Sequence, residues 1–363
     1  MNMYQKELNA LKKVGRFRQR KVWDKNLIDF ASNDYLGLAK NKNQLQKALK
    51  LLNVYDNHAP KASMLVNGYH EIHERFEQTL ARLNGFEEGL VVGSGFLANL
   101  SLIEALVRKK DMLFIDEDYH ASGMMTTGLL ADRVVKFKHN DPQDLEDKLK
   151  SFRGSGRKII AVEGVYSMSG ALCKKDIFEL ADAYEALLIV DEAHSSGVVG
   201  ERLLGVFELY DITPNSRHIK MGTLGKAYGS YGAYILASSH IISFLLNRGK
   251  PIIYSTAPSV MDTALALVNI EYVSQNSLQL YAEIELRQTI VQEMLDFKLA
   301  SLILPIVMPT NAMSLSSQKH LETKGYLVGA IRQPTVEKPI LRIIPRLGSP
   351  IEILKSMLYE IKL

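Results

Sequence analysis

Cysteine and tryptophan are nearly absent from this chain: one of each in 363 residues. A lone thiol, Cys173, excludes an intramolecular disulfide and any multi-cysteine metal site. Long apolar runs are missing too, and none approaches the roughly 18 residues that suggest a membrane span. The opening Met-Asn-Met-Tyr-Gln-Lys-Glu-Leu lacks the apolar stretch of a secretory signal. Charge of one sign is also scarce: the net is +4, with lysines and arginines scattered. That balance argues for neither nucleic acid nor a membrane as partner. A soluble, cytoplasmic protein is therefore expected. What remains is an ordinary globular composition, 47% apolar and 23% charged, in a chain long enough for one large domain and a smaller one.

No internal repeat or low-complexity linker interrupts the chain. Residues 3–20 read as an amphipathic helix, with Leu8, Leu11 and Val14 on one face. A short strand at 27–30, a helix near 43–52, an irregular loop at 58–69 and a helix over 71–83 follow. His70 and His73 lie three apart with no further ligand pattern around them, so no metal site is expected. From residue 88 apolar strand patterns (90–92, 112–115, 134–137, 159–162, 187–190) alternate with helical ones. Such alternation predicts a mostly parallel α/β sheet flanked by helices, with ligands bound beyond the carboxyl ends of the strands. Gly95, His120, Glu163, Asp191 and Thr223 all fall just after strands and should converge on one crevice. Beyond residue 239 the pattern is helical, including one long region over 259–299. Short strands at 302–304, 312–315 and 340–344, with helices at 318–324 and 350–361, suggest a smaller α+β terminal domain. The expected division is an N-terminal helix and arm (1–44), a large domain (45–275) and a small C-terminal domain (276–363).

The stretch Met221-Gly-Thr-Leu-Gly-Lys226-Ala-Tyr-Gly229 sets a lysine among glycines between two probable strands. Alone, a Gly-Lys is a solvated loop lysine. A partly desolvated lysine, however, loses proton affinity and becomes an amine nucleophile able to form a Schiff base. Upstream, Asp191 and His194 close another apolar strand. Gly93-Ser-Gly95-Phe96 stands between a strand and a helix, where free amides and the helix dipole favour a phosphate. The dinucleotide fingerprint would need a glycine where Ala98 stands. Asp191-Glu-Ala-His194 also occurs as a Mg-ATP motif in helicases, but the required phosphate loop is missing, since neither Gly225-Lys226-Ala227 nor Gly249-Lys250-Pro251 has its first glycine or hydroxyl. Together, a strand-borne Asp-x-x-His, a lysine turn and a phosphate-binding helix start describe pyridoxal 5'-phosphate. Lys226 would hold its aldehyde and Asp191 would face its pyridinium nitrogen, an ion pair worth about 4 kcal/mol near 4 Å at an effective dielectric of about 20.

These motifs, with Asn33-Asp-Tyr-Leu-Gly-Leu38, Ser94-Gly-Phe-x-Ala-Asn99, His120-Ala-Ser122, Glu163-Gly-Val-x-Ser-Met168 and Tyr254-Ser-Thr256, resemble the α-oxoamine synthase family of fold-type I pyridoxal phosphate enzymes. The resemblance runs from Asn33 to Arg342. Within the family, Ala330-Ile-Arg-Gln-Pro-Thr-Val336 is most similar to the branch that joins L-alanine to a pimeloyl thioester in biotin biosynthesis. Relatives using glycine with another acyl-CoA, an aminotransferase, and a non-catalytic cofactor-binding protein are the alternatives.

The resemblance implies roles residue by residue. His120 would stack over the cofactor ring, and Gly95 and Phe96 would offer amides to its phosphate. Ser167 and His194 would contact the ring oxygen, with Glu163 in support. Thr223 would bind phosphate, as would Thr256 from a neighbouring subunit, making a homodimer with a shared site. Arg342, assisted by Asn33, would clamp the amino-acid carboxylate. Arg18, Arg332 and Thr335 would face the acyl thioester, carried by CoA or an acyl carrier protein; Arg18 alone reads as surface charge. Two departures stand out: Met64 replaces the arginine of the family's glycine-rich loop, and the segment between Thr335 and Arg342 is about two residues short.

Overall fold

Strands whose residues are apolar on both sides need cover on both sides, and the central sheet has it. The computed structural model describes residues 3–362; Met1, Asn2 and Leu363, assigned above to the terminal arm and the small domain, lie outside them. Seven strands form the sheet: β1 (Glu88–Val92), β2 (Met112–Asp116), β3 (Val134–Phe137), β4 (Lys158–Glu163), β5 (Leu187–Asp191), β6 (His218–Thr223) and β7 (Ala233–Ala237). Their spatial order is β1-β7-β6-β5-β4-β2-β3. Strands β2 to β6 run parallel, while β7 pairs antiparallel with both β6 and β1.

Alternate residues feed two cores. Phe114, Ile160, Val162, Leu188 and Val190 enter one; Leu113, Ile115, Ile159, Ala161 and Ile189 enter the other. Burying each of the larger of these side chains contributes about 1.5–3 kcal/mol. A third core gathers Phe30, Ile290, Val291, Leu304, Leu341, Ile343 and Leu358. Its sheet comprises β8 (Leu304–Val307), β9 (Gly329–Ile331) and β10 (Ile340–Ile343), with β10 central and antiparallel to both neighbours. Residues Ile28–Asp29 pair in parallel with Tyr326–Leu327 as a separate two-stranded sheet, which ties the N-terminal region to the C-terminal part of the chain.

Several elements differ from the sequence expectation. The first helix, α1, spans only Gln5–Lys13, buries no residue, and is followed by a turn at Gly15 with φ 67°. The long helical region is two helices, Val260–Gln275 and Ser277–Leu295. Residues 312–315 are not a strand; they lie in a helix, Asn311–Thr323, whose first turn is capped by Thr310 Oγ1 accepting from Met313 N at 3.1 Å. Four apolar-alternating residues fit either period, and the cap decides. His70 and His73 serve as a helix cap: His70 Nδ1 accepts from Ile72 N and His73 Nδ1 from His70 N. Among the described residues no helix is long and apolar enough to cross a membrane.

Candidate active site

The carboxyl ends of β4, β5 and β6 deliver Glu163, Asp191 and Thr223 to one edge of the sheet, and Glu163 and Asp191 are direct register partners. Helix α2 (Gly95–Leu106) starts beside them. Its cap, Ser94, takes the amide of Leu97 on Oγ at 3.3 Å and that of Ala98 on its carbonyl at 2.9 Å. The amides of Gly95 and Phe96 are left without a protein acceptor among the described residues. A Cβ on Gly95 would meet nothing nearer than Thr223 Cβ at 4.0 Å, so the space before these amides is open. An anion fits there. Thr223 Oγ1 itself donates to Gly232 O at 3.0 Å and accepts from Gly225 N at 3.3 Å.

Lys226 leaves the turn after β6 with Nζ 2.7 Å from His194 Nε2. Burial draws its pKa down to about 8, against the opposing charges of Asp191 and Glu163. Burial first, then the charges of Lys226 and Arg342, hold the His194 ring well below its usual range, so it is neutral. Its Nδ1 lies 2.6 Å from Tyr35 Oη. The turn is held close by Gly197, at φ +81°, where an added Cβ would sit 2.4 Å from Ala227 Cβ.

Arg342, on β10, is buried yet has no carboxylate partner among the described residues. Its Nη1 donates to Asn33 Oδ1 at 2.8 Å, Nε to Ser167 O at 2.8 Å and Nη2 toward Tyr35 Oη at 3.4 Å. A buried guanidinium without a counter-ion is costly, which marks a place for an anionic ligand. Glu163 accepts from Ser167 N at 3.0 Å on Oε2, while the buried Oε1 has no partner among the described residues. Burial, and then the Asp191 charge, push the Glu163 carboxyl well above its usual range.

Hydrogen bonds thus join Asn33, Glu163, Ser167, His194, Lys226 and Arg342 into one group. His120 reaches Asp191 through Ser122 and Asn99. Tyr35, Asn99, Tyr119 and Ser122 carry buried contacts here that the sequence reading assigned no role, although all but Tyr119 lie inside its motifs. Arg18, Arg332 and Thr335 form a separate group: Arg18 Nη2 donates to Thr335 Oγ1 at 3.0 Å and Arg332 Nη1 to Gly15 O at 3.2 Å. They line a cleft of about 290 Å³. Thr256 is exposed and makes no hydrogen bond to either group among the described residues. A roomier depression of about 700 Å³, around Ile306, His320, Lys324 and Glu360, holds none of these residues. Met64 is half-buried against two of the cores.

An amine with lowered pKa, a buried carboxylate, a neutral histidine at the amine and an open anion cradle at a helix start fit pyridoxal 5'-phosphate: Lys226 for its aldehyde, Asp191 for its nitrogen, Gly95 and Phe96 for its phosphate. Comparison with known proteins agrees. The model of the aminotransferase class I and II family matches residues 25–350. The 8-amino-7-oxononanoate synthase of Helicobacter pylori strain J99 is 45% identical over 98% of this chain and 95% of its own length. The crystal structure of 8-amino-7-oxononanoate synthase from Francisella tularensis superposes with a TM-score of 0.78 at 26% identity, covering 93% of this chain and 97% of that one. Serine palmitoyltransferase from S. paucimobilis shares the fold, with a TM-score of 0.88 at 20% identity over 99% and 97% of the two chains. The chain belongs to the aminotransferase class I and II family of pyridoxal phosphate enzymes and, within it, groups with the 8-amino-7-oxononanoate synthases.

Proposed function

We infer that this chain condenses L-alanine with a pimeloyl thioester, on CoA or an acyl carrier protein, to give 8-amino-7-oxononanoate, carbon dioxide and the free thiol. The near full-length similarity to 8-amino-7-oxononanoate synthase carries this reading. When bound, pyridoxal phosphate supplies an electrophilic aldehyde and an electron-accepting ring. The residues of the chain do the rest. With a pKa of about 8, Lys226 is neutral in a substantial fraction at neutral to mildly alkaline pH, so Nζ takes the proton from alanine Cα and later returns one. Arg342 and Asn33 hold the alanine carboxylate until it leaves as carbon dioxide. The new bond joins alanine Cα to the acyl carbon as the C–S bond breaks, and His120 faces the oxygen that gains charge. Neutral His194 and Ser167 orient the ring oxygen. Arg18, Arg332 and Thr335 receive the acyl thioester.

A homodimer belongs to the same proposal, with Thr256 supplied to the partner's phosphate site. Its support is the exposure of Thr256 and Tyr254 and the uncovered apolar face of α1, with Leu8 and Leu11. A cytoplasmic location fits soluble substrates and is proposed with it. Product mass spectrometry tests the reaction. The protein with pyridoxal phosphate, L-alanine and pimeloyl-CoA, or the pimeloyl carrier protein, should form 8-amino-7-oxononanoate, and Lys226→Ala should abolish it. Product from glycine but not alanine would move the assignment to a glycine-using relative. Near-normal synthesis by Lys226→Ala would overturn the mechanism.

A further inference from the structure

We propose that Asn99 and Ser122 are positioning residues that lock His120 in one tautomer, with its proton on Nε2, and tie that ring to Asp191. The directions of the hydrogen bonds follow from the groups themselves. The backbone N–H of Ser122 lies 3.2 Å from His120 Nδ1 and can only donate, so Nδ1 carries a lone pair. Ser122 Oγ is 2.8 Å from the same nitrogen, and its hydroxyl must donate there as well. That oxygen in turn accepts from Asn99 Nδ2 at 2.9 Å. The second hydrogen of the same amide goes to Asp191 Oδ2 at 2.9 Å. The Asp191 carboxylate can only accept, which fixes which way the amide faces, and Asn99 Oδ1 then accepts from Tyr119 Oη at 2.7 Å. Asn99, Ser122 and Tyr119 are all buried, so bulk solvent does not reach these three groups.

With Nδ1 doubly occupied as acceptor, Nε2–H is the only hydrogen the neutral ring can present. His120 therefore acts as a donor, not as a base, toward whatever lies before it. The charged and titratable groups facing it are Asp191, Lys226 and His194. Burial and the Lys226 charge favour the neutral ring, and Asp191 opposes them. Donation by Ser122 Oγ adds to the first side, since in that orientation, beside the Ser122 N–H, it stabilises the unprotonated nitrogen. Removing this donor should raise the His120 pKa. The part His120 plays in the reaction rests on the proposed function; the tautomer does not.

The test is a long-range proton–nitrogen NMR spectrum of the holoenzyme with labelled histidine, His120 being identified by its loss in His120→Gln. One tautomer with unprotonated Nδ1 is expected; a mixture, or protonated Nδ1, overturns the lock whether or not the enzyme makes its product. In Ser122→Ala the His120 titration should move to higher pH, and kcat should fall roughly tenfold on its acidic limb while KM for alanine changes little. Ser122→Thr, which keeps the hydroxyl, should restore both. A titration unchanged in Ser122→Ala contradicts the proposal. If that variant does not fold, the wild-type spectrum alone decides.

Discussion

Lys226 sits between opposed influences, burial lowering its pKa from 10.5 to about 8 and two carboxyl groups resisting. Between those two values the folded chain binds fewer protons there than the unfolded chain. This group alone therefore makes the cofactor-free protein more stable as pH rises through that window, with the full cost of the buried ammonium carried below it. Acylation of Lys226 in cofactor-free protein, followed by peptide mass spectrometry, should level off above about pH 8. A rate still climbing toward pH 10.5, as for exposed lysines, would contradict this. Arg342→Lys should raise KM for alanine about 10- to 100-fold, since a planar, charge-assisted bond worth about 1.5–3 kcal/mol is lost. Steady-state kinetics reads that directly. Lys226 and Asp191 are legible because one stands in the glycine-rich turn after a strand and the other closes an apolar strand. Tyr35 and Asn99 are not, because their partners lie 159 and 92 positions away.

At the scale of elements, the start of α2 is built around an absence. Gly95 faces open space, so a side chain there would fill the anion cradle without striking the protein. Gly95→Leu should weaken pyridoxal phosphate binding at least tenfold in a fluorescence titration while hardly moving the melting temperature of the cofactor-free chain. A large loss of stability would mean the glycine is structural instead. Below the site, Glu192 accepts from Val206 N and Ser195 Oγ and lies 3.6 Å from buried Lys220 Nζ. Lys220 also donates to Asn84 Oδ1 at 2.8 Å and to Leu204 O. Lys220→Met leaves Glu192 buried without its cation and should cost about 3–5 kcal/mol in urea unfolding. The strands and most helices of the sheet follow from periodicity. The helix at 311–323 does not, because a capping threonine outweighed a short alternating run.

Across the whole molecule, helix Ser277–Leu295 links the cores: Leu280 and Ile284 join the first, Ile290 and Val291 the third. We propose the boundary between large and small domains at residue 275/276, with the arm ending at residue 44. Light scattering should give twice the 40.7 kDa chain mass if the proposed dimer forms. Thr256→Ala should then lower cofactor affinity without touching Lys226; a monomer with full affinity would contradict the shared site.

The sequence by itself determined the strand–helix alternation, the lysine turn and the acid and histidine at the end of β5, because backbone periodicity and turn chemistry are local. Its motifs, taken as a set, also pointed to the cofactor and family. Only the tertiary structure decided that, among the described residues, Arg342 is buried without a counter-ion and Glu163 keeps an unpartnered oxygen, and that His120 is held through Asn99 and Ser122. Those facts depend on burial and on hydrogen-bond direction between distant segments, and neither quantity exists until the chain is folded.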